Sequence, residues 1–264
     1  MGKLELEVRE ASYTEAGLGG SHVFASSVAM SLWLLSHRHL LQGKRILELG
    51  AGCGLVGIAC SQVGCKEVVL TDTANANVLG SSAGGELIKN LEENVKQAVQ
   101  HGSRCQVLEF DWNDEKKLAE LGYFDVVIGS DLFYHLSSIK PLCGLVAKCV
   151  EQGSVFYHLA PPDRSCYPTF IESLQAVGDL KTEGPIVAVA TRVTPLVEFE
   201  IEEAIYVGGE GQEGARDAFF LPCSQQFVRS LEGLNFSHWR LERKQKLSLT
   251  TLRGRAGEMT RRDV

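Results

Sequence analysis

Apolar and polar positions along the first 180 residues alternate between two periods. Val28, Leu32 and Leu35 recur at i, i+4 and i+7, which predicts a helix over Ser27–His39 closed by Gly43. Ile46–Leu49 is then a short apolar run that breaks into glycines, the form of a buried parallel strand turning into a helix over Leu55–Gln62. The rhythm repeats. Glu67–Thr71 reads as a strand, residues 73–85 as a small, polar, glycine-rich loop, and Leu87, Leu91 and Val95 as the inner face of a helix. Strands follow at Cys105–Phe110, Phe124–Gly129 and Ser154–Leu159. Between and after the last two come a helix opened by Pro141 and another around Phe170, Ile171, Leu174 and Val177.

Strands alternating with helices of these lengths require a parallel sheet covered on both faces. The expected fold is therefore α/β, a Rossmann-like doubly wound sheet of about seven strands, mostly parallel. After Gly178 the pattern changes: Ile186–Thr191 and Val197–Val207 are β-rich and closely spaced, which predicts an antiparallel edge hairpin. Residues 1–207 are expected to form the main domain. Residues 208–264 read as a C-terminal extension, with a short helix over 224–233 and a last strand near 236–242.

Composition narrows the class. A chain of 264 residues with 44% hydrophobic and 22% charged residues has enough apolar content for a core. No run reaches the length of a membrane span, the best stretch being Val28–Leu35, and the first dozen residues lack a signal-peptide core. The eight cysteines form no CxxC pair, so no metal site or disulfide framework is expected, and the reading is of reduced, mostly buried thiols. Cytosol is the expected compartment, with the nucleus as the alternative. The net charge of −7 speaks against general nucleic-acid binding, although from His238 onward the tail carries +5 and leaves −12 upstream. That tail reads as a solvated, partly disordered end. A monomer with no membrane partner is expected.

The chemistry lies at strand ends. In an open parallel sheet, ligands sit outside the carboxyl ends of the strands at the switch point. The first predicted strand ends in Glu48-Leu49-Gly50-Ala51-Gly52-Cys53-Gly54, whose alternate glycines allow a sharp turn and close approach of a ligand. Asp72 ends the second strand, where a carboxylate accepts ribose hydroxyls. Asp111 and Trp112 end the third, where an indole can cover an adenine and a carboxylate can accept from its amino group. Together they point to a nucleoside site. Gly52, Gly54 and Gly57 also satisfy the dinucleotide pattern. A carboxylate at Glu48 facing the ligand would repel a pyrophosphate, however, and suits a cationic donor such as S-adenosylmethionine.

The run Glu48–Gly54 followed by Thr71-Asp72 resembles the seven-β-strand S-adenosylmethionine methyltransferases. Ser130-Asp131-Leu132-Phe133-Tyr134 after the fourth strand is similar to the Asp-x-x-Tyr signature of the protein-lysine methyltransferases called methyltransferase family 16. The Val23-Phe24 pair before the first helix stands where that group has Val-Trp. The resemblance implies that Gly50 and Gly52 contact the donor's methionine part and Asp72 its ribose, with Glu48, Ala51 and Gly54 also on the cofactor. It further implies that Phe24, Asp111, Trp112 and Ser130 line the cofactor pocket, with Asp131 orienting the incoming amine and Tyr134 shaping its slot. The implied activity is N-methylation of a lysine side chain in a protein partner. Methylation of a small amine or heterocycle, or a non-catalytic adapter keeping the fold, are the alternatives.

Overall fold

Alternate residues of the central strands are apolar towards opposite sides, so two cores form, one on each face of a single sheet. Ile46, Val68, Leu70, Ile128 and Leu159 join one core; Leu47, Leu49, Val69, Val127 and Phe156 join the other. This double-sided burial is why the strands read as near-continuous apolar runs. The computed structural model describes residues 6, 8–10, 22–74, 84–99, 104–132, 136–161, 164–188, 204–206 and 245–253.

Five parallel strands carry the site: β1 (Arg45–Leu49), β2 (Glu67–Asp72), β3 (Cys105–Glu109), β4 (Val126–Ser130) and β5 (Val155–Ala160). Helices α1 (Ala25–Ser36), α2 (Leu55–Ser61) and α3 (Gly84–Val99) supply Trp33, Val56 and Leu91 to the first core. Helices α4 (Glu115–Leu121), α5 (Leu136–Glu151) and α6 (Tyr167–Gln175) supply Leu118, Leu142 and Phe170 to the second. The sheet order begins β3-β2-β1-β4-β5, so the chain reverses direction across the sheet between β1 and β4. That reversal is the switch point at which such sheets hold ligands.

The doubly wound class is as expected, but three details differ. Among the described residues the sheet has eight strands, in the order β3-β2-β1-β4-β5-β8-β6-β7, where about seven were expected. The edge pair is β6 (Asp179–Ala188) with β7 (Ala204–Tyr206), antiparallel with Ile186 opposite Tyr206, and β6 starts earlier than its apolar run suggested. The larger correction is β8 (Gln245–Arg253), which inserts antiparallel between β5 and β6. Residues 245–253 therefore belong to the sheet, although they fall in the expected C-terminal extension. Leu252 is fully buried opposite Phe156, and Thr250 is fully buried opposite His158. Arg243, Lys244 and Arg255 around the strand, with Lys246 inside it, obscured the alternation of Leu247, Leu249 and Thr251. The helix expected over 224–233 and the strand near 236–242 lie outside the described residues.

Pro141 is also placed differently: it lies inside α5, which begins at Leu136. A proline there forgoes one helical hydrogen bond and costs about 3 kcal/mol in isolation. The buried stripe Ile139, Leu142, Cys143, Leu145, Val146, Cys149 and Val150 offsets that cost. Helix α4 was not anticipated, because Leu118 is its one buried residue; Asp114 caps it by accepting from the Lys117 N–H at 2.9 Å.

Candidate active site

The turn from β1 into α2 is built around left-handed glycines. Gly50, Gly52 and Gly54 have φ of +60°, +56° and +86°. At Gly50 a second constraint applies, since a Cβ would stand 2.8 Å from Leu132 Cδ2 and 3.7 Å from Trp112 Cζ2. Side chains from the ends of β3 and β4 thus press against the loop, and only glycine fits. The Ala51 N–H donates to the Thr71 carbonyl at 2.9 Å, tying the loop to the end of β2.

Asp72 closes this arrangement. Its carboxylate accepts from the Gly52 N–H at 2.7 Å and from the Thr73 N–H at 2.8 Å, one bond to each oxygen. Burial raises its pKa, and the two N–H donors pull the other way. Each carboxylate oxygen has a second lone pair, so the group retains the capacity to accept a pair of vicinal hydroxyls.

Glu48 does not take the ligand-facing position expected of it. Its carboxylate is 1% exposed and lies beneath the loop, where Oε2 accepts from the Gly57 N–H at 2.8 Å in the first turn of α2. A Cβ on Gly57 would collide with that same oxygen and with Leu70, so Gly57 yields the space that Glu48 fills. The residue caps a helix from the preceding strand, satisfying an N–H that α2 leaves unpaired. Burial pushes its pKa up to about 8, with the Asp72 charge adding to the rise. A cation placed over the loop would favour its ionised form.

The remaining cofactor-side candidates lie at the ends of β3 and β4 and at the start of α1. Trp112 is half-buried beside Gly50 and packs on the second core. Asp111 Oδ1 accepts from both the backbone N–H and the side-chain amide of Asn113 at 2.9 Å, so it also shapes the turn into α4. Ser130 is half-buried at the end of β4, and Phe24 is half-buried at the start of α1, where its carbonyl accepts from Ser27 and Val28. The residues present fit a nucleoside: a loop whose alternate residues lack a Cβ, a hydroxyl-accepting carboxylate at Asp72 and an indole at Trp112.

One residue that holds this half together was not singled out from the sequence. Asn94 on α3, 1% exposed, donates through Nδ2 to the Cys53 carbonyl and to the Arg9 carbonyl, both at 2.8 Å. Its Oδ1 accepts from the Arg9 N–H at 2.9 Å, and Asn90 donates to the same Arg9 carbonyl. Glu10 extends the contact by accepting from the Val23 N–H at 2.9 Å. The N-terminal segment is thereby tied to both the glycine loop and the start of α1. Two asparagines at i and i+4, Asn90 and Asn94, beside the apolar Leu87, Leu91 and Val95 were the signal for it.

The end of β4 is organised differently. Asp131 has φ of +52°, the one positive value among described non-glycine residues. Its N–H donates to the Leu159 carbonyl at 2.9 Å, and the next N–H, of Leu132, reaches His158 Nε2 at 3.4 Å. His158 is fully buried against Phe156 and Phe170, and burial pushes its pKa down to about 3, so the ring is neutral and accepts that bond. The Asp131 side chain meets Arg164, whose Nε and Nη2 donate to its two oxygens at 3.0 and 2.5 Å. Arg164 was not anticipated either; its signal was a lone cation just beyond the end of a strand adjacent to β4. Tyr134 lies outside the described residues.

The fold and these strand ends define a doubly wound α/β protein with a nucleoside-type site at its switch point. The chain belongs to the lysine methyltransferase family, whose model matches residues 3–177. It is 34% identical over 112 residues to the protein N-lysine methyltransferase METTL21A of Danio rerio, across 42% of this chain and 47% of that one. It is 30% identical over 149 residues to the protein N-terminal and lysine N-methyltransferase EFM7 of Yarrowia lipolytica, across 48% and 51%. The chain thus spans about half the length of these curated relatives. Among solved structures, the precorrin-6y C5,15-methyltransferase of Geobacter metallireducens shares the fold, with a TM-score of 0.52, 13% identity and coverage of 92% of this chain and 95% of that one.

Proposed function

We propose that this chain is an S-adenosylmethionine-dependent N-methyltransferase acting on a lysine side chain of a protein. The observation that carries the reading is Asp72, fixed by the Gly52 N–H at 2.7 Å beside a glycine loop in a chain of the lysine methyltransferase family. When bound, S-adenosylmethionine supplies a methyl group on a sulfonium. Asp72 would hold the ribose hydroxyls, Trp112 the adenine, and the Gly50–Gly54 backbone the amino-acid end. Leu132, packed against Gly50, sets the distance between the donor loop and the acceptor side.

Lysine poses a charge problem, because with a pKa near 10.4 only about one side chain in 2,500 is neutral at pH 7. The neutral nitrogen's lone pair forms the new N–C bond as the S–C bond breaks onto sulfur, and one proton passes to water. Asp131 accepts an N–H of the amine and aims its lone pair. In-line positioning then contributes most of the acceleration, since no covalent enzyme intermediate is needed. The same reading puts the protein in the cytosol or nucleus as a monomer.

The test is incubation with S-adenosylmethionine labelled in its methyl group and a cell lysate, followed by separation of protein from small molecules. Label in a discrete protein band, released as methyllysine on hydrolysis, is expected. Label confined to the small-molecule fraction contradicts the reading and points to a free amine as acceptor.

A further inference from the structure

Asp131 is needed by the proposed chemistry, yet it is 2% exposed and both its oxygens are held by Arg164. The Arg164 side chain, by contrast, is 37% exposed. The cation is therefore the solvent-accessible member of the pair, and it takes up both carboxylate oxygens. A buried carboxylate stripped of its partner is strongly disfavoured, so a donor group must occupy this position before an acceptor arrives. Guanidinium and ammonium present the same chemistry to it, N–H donors with positive charge.

We infer that Arg164 is a specificity-determining residue that occupies the acceptor's seat on Asp131 and is displaced from it by the incoming amine. The inference rests on the lysine-methyltransferase reading above. Asp131 itself cannot yield: its backbone is pinned by Leu159 and by the His158–Leu132 bond, in a turn that Leu132 wedges against Gly50 and Gly129. Arg164 follows β5 and its side chain, 37% exposed, already reaches solvent, so a shift outward buries no charge. Exchange of one cation for another keeps the carboxylate paired throughout. A lone ammonium is a point charge and replaces a two-bond fork poorly. Displacement thus favours an amine delivered by a docked protein, whose other contacts add to its binding, over a free small amine. The seat on Asp131 filters acceptors by what else they bring.

The probe is n-butylammonium, a lysine side chain without its backbone, titrated calorimetrically into protein saturated with S-adenosylhomocysteine. Arg164→Gln should bind it at least about tenfold more tightly than the wild-type chain. Arg164→Lys keeps a cation but loses the fork and should fall between them, a graded recovery that a merely structural lesion does not produce. In methyl transfer to n-butylamine, the Gln variant should lower KM without raising kcat. Unchanged n-butylammonium affinity in the Gln variant, with S-adenosylhomocysteine affinity retained, overturns the inference. Should the Gln variant fail to fold, a Lys variant no tighter than wild type overturns it equally. Failure of the wild-type chain to bind S-adenosylhomocysteine would instead sink the methyltransferase reading itself.

Discussion

Two aspartates at the carboxyl edge of one sheet are held in opposite ways. Asp72, at the end of β2, is fixed by backbone N–H groups of Gly52 and Thr73. Asp131, at the end of β4, is fixed by the guanidinium of Arg164. Backbone amides orient a carboxylate without cancelling its charge, so Asp72 keeps its attraction for a cationic donor. A guanidinium orients and neutralises together. On the proposed reading the donor half is permanently assembled, whereas the acceptor half has to be opened.

The comparison can be broken at several points. Removing residues from Gln245 onward should have the largest effect, because it leaves Phe156 and the β5 edge uncovered; loss of the cooperative thermal transition in calorimetry is expected. A truncated chain that melts as sharply as the full one would show that β8 is dispensable. Next, Asp131→Asn should lower methyl transfer by about 100-fold while S-adenosylhomocysteine affinity stays within about twofold. Loss of donor binding in that variant would mean that the two halves are not separable. Asn94→Ala removes a donor shared by Cys53 and Arg9 and should cost about 2 kcal/mol in stability, with donor affinity falling about tenfold, read by denaturant melts and calorimetry. Donor affinity untouched by Asn94→Ala would separate the N-terminal segment from the glycine loop.

The smallest effect concerns pH. Glu48 has its folded pKa raised from 4.5 to about 8, so the fold favours its protonated form. Its contribution is complete below about pH 4.5 and is lost as pH rises through 8. His158 has its folded pKa lowered from 6.5 to about 3, and its contribution is lost as pH falls below 6.5. Between pH 6.5 and 8 the Glu48 slope stands without the His158 one. Glu48→Gln fills the same space and stays neutral, so its melting temperature should gain on wild type by roughly 5 °C across that interval. A constant difference would show that Glu48 does not titrate there.

The same contrast explains what was legible in the sequence. The donor half is local: Glu48–Gly54, Asp72 and Asp111-Trp112 each end a strand, and their roles follow from strand order alone. Even there, the alternation that sends Glu48 under the loop was overlooked, although Ile46 and Glu48 share a face of β1 and that face carries α2. The acceptor half depends on distant partners. Arg164 is 33 residues from Asp131 and becomes its neighbour only because β4 and β5 pair in parallel. Strand β8 is farther still, with Leu252 opposite Phe156, and its polar threonines with basic flanks gave no strong strand signal. Pairing over such separations is set by the assembled sheet, not by any local pattern.

The central claim, that the β1–β2 edge is a cationic-donor site anchored by Asp72, is tested most directly by titration calorimetry with S-adenosylmethionine. Saturable one-to-one binding by the wild-type chain and its loss in Asp72→Ala, with an unchanged far-ultraviolet spectrum, is the expected result. Equal affinity in the two proteins, or no binding by the wild-type chain, would contradict the account.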